Sequence, residues 1–257
     1  MFTPGFNHCG LDMSNNCLKH TLEMNAPAPQ SAASTATRTA LIEAAIAVFG
    51  EAGFKNATVR DICQRAGANV AAVNYHFGDK ESLYLAVLRQ VQQQADARHP
   101  LPQPRGAARP ERRLELFVES FLLRLLDPGP NAAGSKLMSR EMVDPSAVFD
   151  AVLVEQVQPI ADEVRGIVTE LLGQGATEEA IRMCGLSLVS QCHFYHQCRG
   201  VVLGLFPDFD LGSRGVAQLA RHITRFSLAG IRAIGRRKRA PGSRAKETRV
   251  TDPRVKH

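Results

Sequence analysis

Long apolar runs are missing from this sequence, and so is the usual start of an exported protein. No apolar stretch approaches the ~20 residues that a membrane-spanning helix needs. The first thirty residues have neither a basic start nor an apolar stretch, so they do not have the composition of a signal peptide. We therefore expect a cytoplasmic protein without a membrane partner.

Cysteine is sparse, and the sequence motifs of catalysis are absent. The six cysteines do not form the dense framework of a secreted disulfide scaffold. The sequence has no nucleophile elbow, no phosphate-binding glycine loop and no strong metal-ligand spacing. We therefore expect no enzyme, no cofactor and no metal site.

Positive charge is concentrated at one end of the chain. The formal net charge is +6. Residues 236–257 alone hold nine Lys and Arg against two Asp and Glu, which leaves the remaining residues near −1. We interpret 236–257 as a solvated, disordered tail. The alternative is a tail that adds a nonspecific grip on DNA.

The alternation of apolar and polar residues that is typical of strands never extends beyond a few positions. Apolar residues instead recur at spacings of three and four, which predicts an all-α fold. Residues 1–34 are polar and lack this periodicity, so we expect them to be disordered. Four prolines within 99–110 indicate a linker. The predicted domains are 35–97 and a larger helical domain over 98–235.

Two short helices with a glycine between them are predicted at 58–77. Thr58 is suited to cap the first helix, which ends near Gly67 because glycine tolerates the positive φ of a tight turn. Asn69 can cap the second helix. With a preceding helix that stops near Gly53, the segment has the layout of a three-helix, helix-turn-helix domain whose second short helix enters the major groove of DNA.

The exposed face of the second helix is predicted to carry small and hydrogen-bonding side chains. An Asn amide can pair with adenine, an Ala methyl can contact thymine, and residues at helix N-termini suit phosphates. For Tyr75 the alternative is packing in the core, which we expect for Phe77. The predicted DNA contacts are Thr58, Arg60, Asn69, Ala71, Ala72, Asn74, Tyr75, His76 and Lys80.

Four short motifs make this segment resemble the tetracycline-repressor (TetR) family of transcriptional regulators. They are F-x-E-x-G-F at 49–54, A-T-V-R-D-I at 57–62, A-G-A-N at 66–69 and N-Y-H-F-G-D-K-E-S-L-Y at 74–84. The resemblance implies binding to operator DNA, with the tyrosine, histidine and lysine of the last motif mostly on phosphates. The asparagine that opens that motif departs from many members, so the base preference cannot be carried over.

Segments further along resemble one branch of that family, the branch of the cephalosporin and chloramphenicol sensitivity regulator. They include H-P-L-P at 99–102, L-M-S-R-E-M at 137–142, D-P-S at 144–146 and H-I-T-R-F-S-L-A-G at 222–230. The resemblance implies control linked to a drug or metabolite. It does not identify the ligand.

A ligand pocket is predicted among the C-terminal helices. Arg140 and Glu141 lie in an otherwise apolar helix, and buried charges need partners, so the two form an internal ion pair or contact a polar ligand. For each pocket residue, ordinary core packing is the alternative. The candidates are Phe121, Met138, Arg140, Glu141, Met142, Phe149, Met183, Gln191, His193, Phe194 and Tyr195.

The last two predicted helices, 177–205 and 211–237, hold more apolar residues than one modest domain can cover. Pairing with a two-fold mate would bury them in a four-helix interface, so we expect a homodimer; a purely intramolecular core is the alternative. Cys192 and His196 share a helical face and are spaced to ligate one ion, but Cys198 lies off that face. We therefore favour core cysteines over a metal sensor.

Together these features predict a repressor that a small molecule releases from a palindromic operator. A ligand that prefers another arrangement of the C-terminal helices would shift the helix over 79–97 and change the spacing of the two DNA-reading helices. One alternative is a DNA-binding activator or architectural regulator that senses no ligand. The alternative from another class is an enzyme.

Overall fold

In a computed structural model, residues 32–102, 108–126 and 132–239 are described, with side chains as far as residue 236. Over these ranges the chain forms eleven α-helices, one π-helical turn and no strand, which confirms the predicted all-α fold. The helices are α1 (Ala32–Asn56), α2 (Val59–Ala66), α3 (Val70–Phe77), α4 (Lys80–Arg98), α5 (Pro110–Leu126), α6 (Ala132–Val143), α7 (Phe149–Val152), α8 (Gln158–Leu172), α9 (Glu178–Gln197), α10 (Arg199–Leu205) and α11 (Ser213–Arg239).

The helices α2, α3 and α4 begin at the expected N-caps, and α2 ends at the expected glycine. Thr58, Asn69 and Asp79 each accept a hydrogen bond from the backbone N–H three residues later, so each is an N-cap. Gly67 ends α2 in the left-handed conformation with φ 64°. Gly53 interrupts α1 with φ 78°, although helical hydrogen bonding resumes as far as Asn56.

Both ends of the described chain are more helical than expected. α1 begins at Ala32, so residues 32–34 do not belong to a disordered tail. α11 continues to Arg239, into the segment predicted as a basic tail. Residues 1–31 and 240–257, the rest of both predicted tails, lie outside the described residues, as do 103–107 of the predicted linker.

The helical segment between 149 and 172 is divided. It begins at Phe149, passes through a π-helical turn (Leu153–Val157) and continues as α8, and the Gln158 N–H bonds to the Leu153 carbonyl. Pro159 explains the wider turn, because its ring would clash with the carbonyl four residues earlier in a regular helix. The helix predicted over 177–205 is also divided, at Cys198.

Two hydrophobic clusters organise these helices. The first joins α1 to α4 around fully buried Phe49, Ile62, Val73 and Leu83, and it also includes Leu137 of α6. The second joins α5, α8, α9 and α11. α4 belongs to the first cluster along most of its length and reaches the second group of helices at its C-terminal end, so it connects the two parts of the molecule.

A buried ion pair fixes α5 against α8. The Arg113 guanidinium donates to Glu163 at 3.0 Å and to Glu170 at 2.7 Å, and the Arg113 and Glu163 side chains are both almost fully buried. Removing one partner of such a pair leaves an uncompensated buried charge, which typically costs about 3–5 kcal/mol. The pair therefore specifies how these two helices dock.

Candidate DNA-binding face and ligand cavity

α3 has one buried side and one exposed side. Val73 is fully buried against the other N-terminal helices, whereas Tyr75 is 78% exposed. Asn69, Ala71 and Asn74 are also exposed, and Ala72 and His76 are half-buried. The structure therefore brings the predicted contact residues of this segment to the solvent side of one short helix, and the alternative of a core position for Tyr75 is wrong.

The flanking residues predicted to contact phosphates lie at the starts of α2 and α4. The Thr58 hydroxyl takes part in a capping box with Asp61, accepting from its N–H and donating to its carboxylate at 2.6 Å. Arg60 is exposed on α2. The Lys80 ammonium lies 4.6 Å from the ring centroid of Phe54, a cation–π contact at the first residue of α4.

Phe77, expected in the core, is half-buried at the end of α3. It packs against the N-terminal cluster, and the Arg38 guanidinium covers its ring at 5.2 Å from the centroid. The ring therefore closes the edge of the cluster rather than lying at its centre.

The C-terminal helices enclose a cavity of about 530 Å³, which is within the range of small-molecule sites. Its wall is formed by α4, α5, α6, the π-helical turn, α8 and α9. The exposed lining residues Arg165, Arg182 and Leu186 place its opening between α8 and α9. Arg165 bridges this opening to both carboxylate oxygens of Glu178 at 2.8 Å.

The cavity wall is mainly apolar, and several of its polar groups are already paired. The Gln92 amide donates to Asp96, and the Ser139 hydroxyl shares a 2.8 Å hydrogen bond with the His196 ring. His193 meets the Phe121 ring edge to face at 5.4 Å between centroids. Burial, with a smaller contribution from His196, lowers the pKa of His193.

Arg124 is the most buried cation of the cavity wall. Its Nε donates to the His99 carbonyl at 2.8 Å, and its Nη2 pairs with Asp96 at 2.9 Å. Desolvation lowers the pKa of Arg124, and Asp96 opposes that shift. Its Nη1 has no hydrogen-bond partner among the described residues. The guanidinium is thus charge-paired but retains one donor.

Four of the predicted pocket residues, Phe121, Met138, Met142 and His193, line this cavity. The remaining candidates lie elsewhere among the described residues. Successive helical residues point in different directions, which explains why only some members of each sequence segment reach the wall. Those outside it are Arg140, Glu141, Phe149, Met183, Gln191, Phe194 and Tyr195.

Glu141 has a structural environment that neither expected alternative described. It is almost fully buried, and its carboxylate accepts from the Tyr84 hydroxyl at 3.0 Å and from the N–H and hydroxyl of Ser146 at 2.9 Å. Arg140 is exposed on the adjacent face of α6. Glu141 therefore ties α4 to the loop after α6 instead of pairing with Arg140.

The cavity residues that sequence reasoning missed include Arg124, Gln156 and the α4 residues of the wall. Gln156 lies in the π-helical turn, is 5% exposed, and neither polar atom of its amide has a partner within the described ranges. Pro159 is the sequence signal that marks this turn as irregular, because proline kinks or divides a helix. Nothing in the local pattern assigns the glutamine to the cavity.

The cysteines and histidines of α9 do not gather into a metal site. Cys192 is fully buried in the C-terminal cluster, and His196 is engaged with Ser139. No group of three His, Cys, Asp or Glu side chains suited to a metal ion occurs in the described part of the chain. Among these same residues, no helix is long and apolar enough to cross a membrane.

Two short capped helices, with an exposed second helix, define a protein of the helix-turn-helix class. Residues 41–87 match the family described as "Bacterial regulatory proteins, tetR family". Residues 110–231 match the family described as "HTH-type transcriptional dual regulator CecR, C-terminal domain". The chain therefore belongs to the TetR family and carries a CecR-type C-terminal domain.

Individual relatives agree with both matches. The chain is 34% identical over 149 residues to the HTH-type transcriptional dual regulator CecR of Shigella flexneri, covering 54% of this chain and 66% of that protein. It is 41% identical over 56 residues to the repressor AcnR of Corynebacterium glutamicum, covering 22% of this chain and 30% of AcnR. The chain thus spans less than two thirds of the length of these curated relatives.

The fold is also found in a solved regulator. The transcriptional regulator FadR from Bacillus subtilis, in complex with stearoyl-CoA, superimposes with a TM-score of 0.56 at 16% identity, covering 75% of this chain and 98% of FadR. At that identity the likeness concerns the fold alone.

Proposed function

We propose that this chain is a dimeric transcriptional repressor that a small molecule releases from operator DNA. The observation that carries the proposal is the course of α4. This helix begins three residues after α3 ends, and near its other end Val91, Gln92 and Ala95 line the cavity. One rigid element therefore joins the DNA-binding face to the ligand cavity.

α3 has the chemistry of a DNA-reading helix. Exposed Asn74 and Ala71 suit base edges, and Tyr75 with His76 suits the phosphates beside them. Residues 35–98 have only one more basic than acidic side chain, so the phosphate attraction comes from locally placed groups such as Lys80. We therefore expect DNA binding to weaken as salt is added, with a modest slope of the logarithm of the binding constant against the logarithm of the salt concentration.

A contact near the middle of α4 supports coupling between the two sites. Arg89 donates to Glu155 of the π-helical turn through Nε at 2.7 Å and Nη2 at 2.5 Å. A ligand that moves this turn would also move α4 and change the separation of two DNA-reading helices, which need about 34–36 Å between them. A coupling of ~1–3 kcal/mol is enough to weaken operator binding about 5–150-fold.

The CecR relative favours a second candidate function, activation at some promoters. The CecR protein of Shigella flexneri is named a dual regulator, and the AcnR relative is named a repressor. Both names describe regulators rather than enzymes. FadR shares this fold and was solved in complex with stearoyl-CoA, which is in keeping with a small-molecule ligand for this chain.

The test is binding to DNA that flanks the gene, measured by fluorescence anisotropy at several salt concentrations. Wild type should bind tightly. Lys80→Ala should weaken binding and reduce the salt slope by about one, because one phosphate contact is lost. Tyr75→Ala should weaken binding through its lost contact beside α3.

Lys136→Ala is the control, since Lys136 is an exposed lysine on α6. It should bind like wild type. Equal affinity of all four proteins would contradict the assignment of α3 as the DNA-reading helix. A ligand that occupies the cavity without changing operator affinity would contradict the coupling.

A further inference from the structure

Gln92 leaves one hydrogen-bond acceptor open on the α4 side of the cavity. Its amide nitrogen donates to the Asp96 carboxylate at 3.3 Å. A carboxylate can only accept, so this contact settles which end of the amide is the nitrogen and leaves the oxygen over. That oxygen has no hydrogen-bond partner among the described residues, and it is not one of the buried polar atoms that the fold closes off from water. Gln92 therefore brings an unpaired carbonyl oxygen to the cavity wall.

The neighbours of Gln92 hold its amide in this orientation. Asp96 lies one helical turn further along α4, and its carboxylate also accepts from Nη2 of Arg124 at 2.9 Å. Arg124 is itself fixed by a second hydrogen bond, to the His99 carbonyl at 2.8 Å. Turning the Gln92 amide over would bring its oxygen against the Asp96 carboxylate, so these contacts keep the acceptor available.

His193 is a second open polar group of the wall, on the α9 side. Its ring nitrogens have no hydrogen-bond partner in the described part of the chain, and they too are absent from the set of enclosed polar atoms. Burial favours the neutral ring, which has one donor nitrogen and one acceptor nitrogen. Such a ring can receive an alcohol, an ether or a carbonyl group. The choice of ligand chemistry therefore depends on Gln92, which can only accept through its free oxygen.

The charges of the wall argue against a charged ligand group inside the cavity. Arg124 is paired with Asp96, and Arg165 is paired with Glu178. Arg182 lines the cavity as well, but it is exposed at the opening. A carboxylate would place acceptors against the Gln92 oxygen. An ammonium group could donate to that oxygen, but it would be buried without an unpaired carboxylate of the wall to compensate its charge.

We propose that the cavity binds a neutral, largely apolar molecule that carries a hydroxyl group, an alcohol or a phenol, and that this hydroxyl donates to the side-chain oxygen of Gln92. A hydroxyl supplies a neutral donor and leaves the rest of the molecule to the apolar wall. Gln92 lies on α4 three residues after Arg89, which holds Glu155 of the π-helical turn. The contact would therefore act on the helix that leads to the DNA-binding face. The inference rests on the proposed function only in making this molecule the effector; binding itself is measured separately.

The experiment compares isomers that differ in whether the oxygen carries a hydrogen. Each 4-alkylphenol is paired with the 4-alkylanisole whose chain is one carbon shorter, and each straight-chain alcohol of six to ten carbons with its isomeric methyl ether. Binding is measured by thermal shift and then by calorimetry, since the chain has no tryptophan for intrinsic fluorescence. A hydroxyl that loses its hydration without gaining a partner would bind less tightly than the ether. With Gln92 as acceptor, the best hydroxyl probe should bind about tenfold more tightly than its ether isomer.

Gln92→Met keeps the unbranched shape and should abolish this preference. Gln93→Met is the matched control, because Gln93 is the next residue of α4, exposed and outside the cavity wall, so this variant should keep the preference. Three outcomes would overturn the proposal: ethers that bind as tightly as their hydroxyl isomers, a hydroxyl preference that survives in Gln92→Met, or no binding by any probe. Operator binding without ligand is measured in parallel, and its absence in wild type would refute the proposed function instead.

Discussion

His193 and His196 are two residues whose chemistry depends on their place in the fold. Both belong to α9 and face the interior, one toward Phe121 and the other toward Ser139. Desolvation by burial is the main reason that the pKa of each histidine is lowered. For His196, a hydrogen bond with the Leu125 backbone opposes this shift. Each imidazole is therefore harder to protonate in the folded protein than in the unfolded chain, where histidine titrates near 6.5.

We expect the free energy of unfolding to fall as the pH is lowered from 7.5 to 5.5, with part of this loss due to His193. Well above pH 6.5 the imidazole is neutral in both states, so it contributes no pH dependence there. Below that value the unfolded chain binds the proton first and is stabilised, until the folded pKa is passed. His193→Gln should show a smaller loss in urea unfolding over this range.

The comparison for that variant is wild type over the same pH range. If the two proteins lost the same free energy of unfolding between the two pH values, His193 would not be the titrating group.

The turn between α2 and α3 depends on one glycine. Gly67 has φ 64°, and a Cβ added there would meet no atom within 4 Å. The cost of a side chain is therefore backbone strain alone, about 1–2 kcal/mol for an L-residue in the left-handed region. Gly67→Ala should lower the free energy of unfolding by about 1 kcal/mol in urea.

A glycine-to-alanine substitution within α8 should raise the free energy of unfolding instead of lowering it. Gly166 has ordinary helical geometry and equally open surroundings, so alanine there reduces the entropy of the unfolded chain without strain. Gly166→Ala should raise the free energy of unfolding by roughly 0.5–1 kcal/mol. If Gly67→Ala and Gly166→Ala both lowered the free energy of unfolding, backbone strain at residue 67 would not explain the loss caused by Gly67→Ala.

The elements also explain which features the sequence could predict. The exposed face of α3 depends on a single helix, so the spacing of Val73 and Phe77 was enough to assign its two sides. The N-caps could also be predicted, because each one bonds to a residue only three positions further along the chain. The cavity collects residues from five helices and a π-helical turn, so Gln156 and Arg124 could not be placed before the docking of α4, α5 and α8 was known. Glu141 was misjudged for the same reason, because its partners Tyr84 and Ser146 lie on other segments.

At the scale of the whole molecule, one side of the C-terminal helices remains strongly apolar. Met183 and Phe194 of α9, Leu205 of α10 and Phe226 of α11 are all large and exposed. α9 and α11 lie side by side, since Gln191 donates to Ser227 at 3.1 Å. Large apolar side chains exposed on adjoining helices are typical of interaction surfaces. We propose a second copy of the chain as the occupant of this surface, because helix-turn-helix proteins read palindromic operators as dimers.

Phe226→Glu tests that interface, because it places a charge on a side chain that is 65% exposed in the single chain and would be desolvated in the dimer. We expect a monomer in size-exclusion chromatography with light scattering, at concentrations where wild type is a dimer. Operator affinity should fall by about 10²–10⁴, since a monomer offers one DNA-reading helix instead of two linked ones. Val143→Glu makes the same change at an exposed valine of α6 and should remain dimeric with normal operator binding. A dimeric Phe226→Glu protein would place the two-fold contact on another surface, whereas a monomer with undiminished operator affinity would show that DNA recognition does not depend on pairing through α9 and α11.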